Sequence, residues 1–256
     1  MAIMRLAANL NLSNIIFGRC EVYRHEKFFN SIFEDSNINL PIFYGCKFDN
    51  CIFKSSDLNN SKFFEFNEFE NCRFLHCDMR NIGVGNNGLY FKKTEFNACD
   101  MRGMNLESTS FFECTFEKCK IISVTFHANK IQKSSFNGTL IDVKFEGDGK
   151  EKLELDFKKS KFQGVEFHNI DLSQSVPPKI KNHYYVSNLK YRCSNALVKL
   201  NSDKTIDENI KKILSRRIKK LSGNEDYIFN YKFIEDIEGS DFAKNFFDIL
   251  EISLIN

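Results

Sequence analysis

Nine cysteines hold most of the evident chemistry in this 256-residue chain. Cys46 and Cys51, Cys72 and Cys77, and Cys114 and Cys119 stand five apart, and Cys20 and Cys99 belong to the same set. Thiolates become metal ligands or nucleophiles where they converge with one another or with histidine. Structural zinc sites, however, use cysteines separated by roughly two to four residues, and His25, His76, His127, His168 and His183 are scattered without a ligand motif. No P-loop, GxSxG or HExxH occurs. Cys193 alone lies outside the five-residue spacing, on an apolar helical stripe where a buried core thiol is expected. The expectation is a non-enzymatic protein with no metal and no cofactor.

The other eight cysteines share a position: each falls two residues before a large apolar residue. Residues 43–58, FYGCKFDNCIFKSSDL, place Phe43, Phe48, Phe53 and Leu58 five apart, with Cys46, Cys51 and Ser56 two before the last three. No helix or strand has a period of five. The frame extends in blocks centred on Leu12, Phe17 and Val22; on Phe28 to Phe63; on Phe69 to Val84; on Phe91 to Ile141; and on Phe157 to Leu172. Every centre is apolar, and many of the 28 Phe are among them. In the Phe91–Ile141 block the slot two before the centre is mostly small or medium: Thr94, Cys99, Thr109, Cys114, Cys119, Ser134. The other three positions are mostly polar.

The units CDMRN (77–81), CDMRG (99–103), MNLES (104–108), CTFEK (114–118) and SKFQG (160–164) resemble the pentapeptide-repeat family, over about residues 10–173. The resemblance implies a mainly β fold: a right-handed quadrilateral parallel β-helix in which each pentapeptide is one side and four make a coil. Seven to eight coils at ~4.8 Å each give a rod on the order of 35 Å long. The coil period predicts ladders. Phe96, Phe116 and Phe136 should stack, as should Phe91, Phe111 and Ile131; Phe33 should lie beneath Phe53 and Phe43 beneath Phe63. Cys46, Cys51, Cys99 and Cys119 then fill inward corner space as core residues. Cys99 and Cys119 become vertical neighbours, close enough for a disulfide that a reducing compartment disfavours.

Insertions in a solenoid become loops, and loops on a rigid scaffold often carry function. One extra residue is expected near Arg24 and His25 and one between Phe63 and Phe69. Two fall between Val84 and Phe91, in GVGNNG (83–88). The largest break spans Ile141 to Phe157 and contains EGDGKEKLEL (146–155), expected to project. Candidate partner-binding residues are therefore Gly83, Gly85, Asn86 and Asn87 in the first loop, and Glu146, Asp148, Lys150, Glu151 and Lys152 in the second.

Pro177-Pro178 marks a boundary, giving a β-helix over 1–175 and a small α-helical capping or interaction module over 176–256. Its apolar stripes are Val186, Leu189, Cys193, Leu197 and Leu200; Ile210, Ile213, Leu214, Ile218 and Leu221; Tyr227, Ile228, Tyr231 and Ile234; and Phe242, Phe246, Phe247 and Leu250 behind a Ser240 cap. A β-helix end must be covered, so capping is one role. The second helix also carries Lys211, Lys212, Arg216, Arg217, Lys219 and Lys220. Arg216 and Arg217 join the candidate partner-binding residues.

Net charge is +2, which gives no general reason to expect a nucleic-acid partner. No secretory signal or membrane span is expected, and the odd cysteine count reads as reduced thiols in the cytoplasm. Three functions stay open. One is a scaffold for a protein partner of unknown identity. Resemblance implies the other two: a DNA-mimicking protein that protects a type II topoisomerase such as gyrase, conferring quinolone or toxin resistance, and a secreted bacterial effector or adaptor acting in a host cell. Residues 1–172 hold 22 Lys+Arg and 23 Asp+Glu, a net of −1, which is weakly anionic for a DNA mimic. A homodimer formed through the C-terminal module is a further expectation.

Overall fold

The computed structural model describes residues 6–9, 11–13, 21–38, 41–84, 88–104, 106–203 and 205–254. Short parallel strands, most of three residues, wind around four sides and pair only with the coils above and below, for about seven coils. On the first face Phe28, Phe48, Phe69, Phe91, Phe111 and Ile131 lie in register. On the second, Phe33, Phe53, Phe74, Phe96, Phe116 and Phe136 do. Asn37, Asp57, Asp78, Asp100 and Lys120 are bridged up the third. The fourth carries Tyr23, Phe43 and Phe63 below and Phe126, Phe145 and Phe167 above.

The expected ladders are present. Phe96 stacks on Phe116 at 5.0 Å and Phe116 on Phe136 at 4.7 Å, nearly coplanar. Phe33–Phe53 and Phe43–Phe63 stack at 4.7 and 5.1 Å. Rings on adjacent sides meet edge to face, as Phe48 and Phe53 do at 5.7 Å. Both geometries suit the aromatic quadrupole, so one phenylalanine axis satisfies its rings along the rod and around each coil.

The corner chemistry explains two positions of the repeat. Two residues after a centre the chain turns through left-handed backbone, with φ of 49° at Asn30, 48° at Asp35, 53° at Asn50 and 49° at Ser55. Asn, Asp and Gly tolerate this region best, and they recur at this position. Gly88 is obligatory for a different reason: a Cβ there would sit 1.7 Å from the Ser108 carbonyl oxygen.

The slot two before the centre is small, and it is also a donor. Ser56 Oγ donates to the Phe33 carbonyl at 2.9 Å, Thr94 Oγ1 to Phe69 at 3.1 Å and Ser160 Oγ to Phe136 at 2.8 Å. Cys77, Cys99 and Cys119 aim their thiols at the Phe53, Phe74 and Phe96 carbonyls, each at 3.3 Å. Each bond reaches back to the coil below, so Ser, Thr and Cys alternate because each offers a short donor to an inward carbonyl.

Four details of the sequence frame need correction. Tyr23, not Val22, is the inward residue of its side: it pairs with Phe43 and stacks on it at 5.4 Å, while Val22 is 47% exposed. Tyr23 to Phe28 is then a regular five-residue step, so the extra residue expected near Arg24 and His25 is not there. Leu140, not Ile141, follows Phe136 inward, paired with Ile121 and Phe162. That side is one residue short, and the chain passes its corner as one continuous strand, Ser134–Ile141, with Gly138 at φ 142°. Phe145 is a further fully buried centre, stacked on Phe126 and Phe167 at 5.3 and 5.4 Å. The expected 16-residue break thus shrinks to a short turn around Gly147–Glu151.

Beyond Pro178 the chain forms helices α1 (Leu189–Ser202), α2 (Glu208–Leu221), α3 (Tyr231–Glu238) and α4 (Ser240–Ile249). The expected stripes bury Leu189, Cys193 and Leu200 on α1, Leu214, Ile218 and Leu221 on α2, and Phe242, Phe246 and Phe247 on α4. Two readings fail. Tyr227–Asn230 is a strand, not the start of a helix, and pairs antiparallel with His183–Val186. Ser240 is the first residue of α4, and Gly239 precedes it without a side-chain cap.

This module closes the top of the rod by pairing polar groups left open on the last coil. His183 Nε2 accepts from the Phe162 N–H at 3.0 Å, and Asn230 Nδ2 donates to the Phe162 carbonyl at 2.5 Å. Asn224 Oδ1 accepts from the Asn169 N–H at 2.9 Å. The Tyr227 ring stands edge-on to Phe167 at 5.5 Å, ending the aromatic axis.

Candidate interaction surfaces

Every insertion seen in the described coils falls at one corner, where the fourth face turns into the first. One residue is added between Phe63 and Phe69, two between Val84 and Phe91, and three between Phe145 and Leu153. Ala128–Lys130 adds a short 3₁₀ turn on the same edge. The insertions thus gather on one edge of the rod, while the shortened Phe136–Leu140 side lies at the corner between the second and third faces.

The lower part of this edge is aromatic. Tyr44 and Phe64, the outward residues beside Phe43 and Phe63, stack at 5.3 Å, and the Arg24 guanidinium lies 4.1 Å from the Tyr44 ring centre. The extra residue before Phe69 is accommodated by placing Phe66 outward, 52% exposed and stacked on Tyr90 at 5.9 Å. Beneath it Asn67 is fully buried, accepting from the Cys46 N–H at 2.8 Å and donating to the Phe64 carbonyl at 2.8 Å. The buried amide thus anchors the bulge that presents Phe66. Sequence reasoning missed these outward rings because it followed the inward frame. The double phenylalanines Phe63-Phe64 and the run Phe64-Glu65-Phe66 were the available signal.

The residues singled out from the sequence are dispersed. Gly83 is in a strand paired with Lys62, on the fourth face. Gly85, Asn86 and Asn87 lie outside the described residues. Glu146 ends a paired strand, and Lys152 is bridged to Asp171. Between them Asp148 Oδ1 accepts from the Lys150 N–H at 3.0 Å and Glu151 from the Asp148 N–H at 2.7 Å, a self-contained turn. Arg216 and Arg217 lie on another element, α2.

There they border a cleft of about 520 Å³ between the last coil and the module. Its floor includes Phe162, Val165, Phe167, Tyr227 and Phe229, with Ile213 on α2 and Phe233, Ile234 and Ile237 on α3 as walls. Arg217 pairs with Glu238 at 3.0 Å and lies over the Phe246 ring at 5.3 Å. Lys220 reaches Glu166 at 2.9 Å, and His168 reaches the same carboxylate at 2.9 Å. Burial pushes the Glu166 carboxyl up, but Lys220 and His168 outweigh it and hold it below its ordinary range.

The third face is the obvious place to look for an anionic surface. Asp57, Asp78 and Asp100 are stacked there, but Arg80 and Arg102 fork onto Asp78 and Asp100 at 2.5 and 2.6 Å. The Arg80 hydrogen bonds hold Asp78 below its ordinary range, and those of Arg102 do the same for Asp100. Asp78 and Asp100 are thus charge-compensated.

Five-residue sides, four to a coil, with the centre and the donor two before it facing inward, decide the architecture. The chain is a pentapeptide-repeat solenoid. No family model matches it, and no curated protein does. Solved structures similar to the solenoid include two trypsin-treated variants of QnrB1, described as a plasmid-mediated fluoroquinolone resistance protein. They are 15% and 18% identical, cover 70% and 63% of this chain and 86% and 91% of theirs, with TM-scores of 0.31 and 0.28. HetL from the cyanobacterium Nostoc, described as a pentapeptide repeat protein involved in heterocyst differentiation regulation, is 11% identical. It covers 67% of this chain and 84% of its own, with a TM-score of 0.31.

Proposed function

We propose that this solenoid is a non-enzymatic scaffold that binds a protein partner along its insertion edge, through Arg24, Tyr44, Phe64, Phe66 and Tyr90. The carrying observation is Phe66, a large aromatic side chain turned outward by a bulge that a buried asparagine holds in place. Aromatic and arginine side chains dominate binding hot spots, and a rigid repeat supports them without an ordering cost. Affinity capture with the full chain, compared with a Tyr44→Ser, Phe66→Ser double variant of unchanged melting temperature, tests the reading. A partner retained by wild type and lost from the variant is expected. Equal capture by both would overturn the assignment to this edge.

Topoisomerase protection makes a separate demand, an uncompensated anionic face. The pairing of Arg80 and Arg102 with the third-face aspartates weighs against it. Gyrase supercoiling with and without quinolone decides the matter: no protection at large molar excess removes this function. For a homodimer through the C-terminal module, Tyr191 and Val198 are the residues to test, since both are exposed two turns apart on one face of α1. Light scattering should give a dimer mass that falls to a monomer in Tyr191→Glu, Val198→Glu; a monomeric wild type ends that reading.

A further inference from the structure

The interior of the cleft beneath α2 and α3 is apolar, and the two asparagines inside it are already engaged. Asn224 and Asn230 line it, yet Asn224 accepts from the Asn169 N–H, and Asn230 bonds both the Phe162 carbonyl and the Phe233 N–H. A sugar, nucleotide or peptide backbone brought inside would lose its hydrogen bonds to water and find few replacements, a steep penalty. The interior therefore selects an apolar body. Its size of about 520 Å³ lies in the range of small-molecule sites, which favour junctions between structural units.

The mouth selects the other end of the ligand. Ile213 and Ile237 stand there 50% and 61% exposed. Among the cations, Arg217 is matched by Glu238 and Lys220 by Glu166. Arg216 is exposed on the same rim and has no ion pair among the described residues. The rim carries one positive charge beyond those its own carboxylates match. The nearby acids Glu235 and Asp236 of α3 are engaged by Lys232 and do not line the cleft.

We propose that this cleft binds a single acyl chain ending in one carboxylate, with the chain over Phe167, Tyr227 and Phe229 and the carboxylate at Arg216. The chain replaces water on an aromatic floor, and the guanidinium supplies a forked partner for the headgroup. No covalent step is involved. The site is separate from the aromatic edge and stands or falls independently of it.

The test is fluorescence titration of the full chain with cis-parinaric acid, a naturally fluorescent fatty acid, followed by displacement. Saturable one-to-one binding is expected, displaced by palmitate. Palmitate methyl ester and hexadecylamine should compete about tenfold worse or more, since loss or reversal of one favourable charge contact at a partly desolvated site is worth on the order of a factor of ten. Arg216→Glu and Ile237→Glu alter exposed residues and should each weaken binding by a similar factor, with melting curves unchanged. If Arg216→Glu disturbs folding, Arg216→Gln replaces it. Absence of saturable binding, equal competition by acid and ester, or wild-type affinity in both variants would overturn the proposal. Displacement by an acidic peptide but not by palmitate would overturn it in favour of a protein ligand.

Discussion

At the scale of single residues, the repeat imposes three separate demands: a large apolar centre, a small donor two before it and a left-handed corner two after it. The donor demand is the least visible, because Ser, Thr and Cys also look like residues chosen for size. Ser160 is fully buried and spends its hydroxyl on the Phe136 carbonyl at 2.8 Å. Ser160→Ala should cost about 1–3 kcal/mol by leaving that carbonyl unpaired, while Ser160→Cys should cost distinctly less, because cysteine does the same work in neighbouring coils. Equal destabilisation in urea melts would mean the slot reads volume alone. The same packing keeps reagents from the described cysteines, including Cys51 and Cys119, whose thiols the neighbouring Cys72 and Cys99 hold below the ordinary pKa but which are buried like the rest. Burial pushes the Cys114 thiol up to about 12 and Cys193 up to about 11, and thiols react as thiolates. Ellman's reagent should leave the eight described cysteines unmodified at pH 8 in native protein and titrate all nine of the chain after denaturation. Rapid native modification of more than one thiol, Cys20 being outside the described residues, would contradict the packing.

At the scale of elements, the five-residue period was legible wherever one apolar residue stood out from polar neighbours, which covers most coils. It misled where two apolar residues were adjacent. Val22-Tyr23 and Leu140-Ile141 each offer two centres, and only pairing with the coil above or below selects one. The strand Tyr227–Asn230 was missed for a related reason. Its partner, His183–Val186, lies more than 40 residues earlier, so no local pattern announces it, and a short apolar run fits helix or strand equally well. The aromatic edge was overlooked because it consists of outward residues, whose identity the repeat leaves free. The corrected frame makes a sharp comparison. Leu140→Ala should cost about 2–5 kcal/mol as a cavity in the core, whereas Ile141→Ala, only partly buried on the strand's outer side, should cost less than about 1 kcal/mol. The reverse order in denaturant melts would restore the uninterrupted period.

At the scale of the whole molecule, a solenoid is a one-dimensional stack whose ends set the limit, because each coil is stabilised mainly by its neighbours. The C-terminal end is closed by contacts that include a titratable ring. His183 Nε2 accepts from the Phe162 N–H, and Nδ1 faces the Ile180 and Lys181 carbonyls at 3.2 Å. Only the neutral ring, protonated on Nδ1, can accept at Nε2 and donate at Nδ1. Burial, the largest influence, lowers the His183 pKa below its ordinary value, while the two carbonyls oppose it. At pH above the ordinary histidine value both folded and unfolded chains carry a neutral ring, and the contribution is fully present. As pH falls through about 6.5 the unfolded chain takes up a proton that the folded one resists, so stability falls with it until the folded pKa is reached. Other groups titrate over the same range, so the diagnostic is a difference. Wild type should lose more thermal stability between pH 7.5 and pH 5.5 than His183→Gln, which keeps an acceptor without the titration. The loss should begin at the last coil, with hydrogen exchange at Phe162 and Asn169 accelerating before exchange at Phe96 or Phe116. Parallel pH profiles for the two proteins, or uniform exchange along the rod, would show that this end is held by apolar packing and not by the histidine.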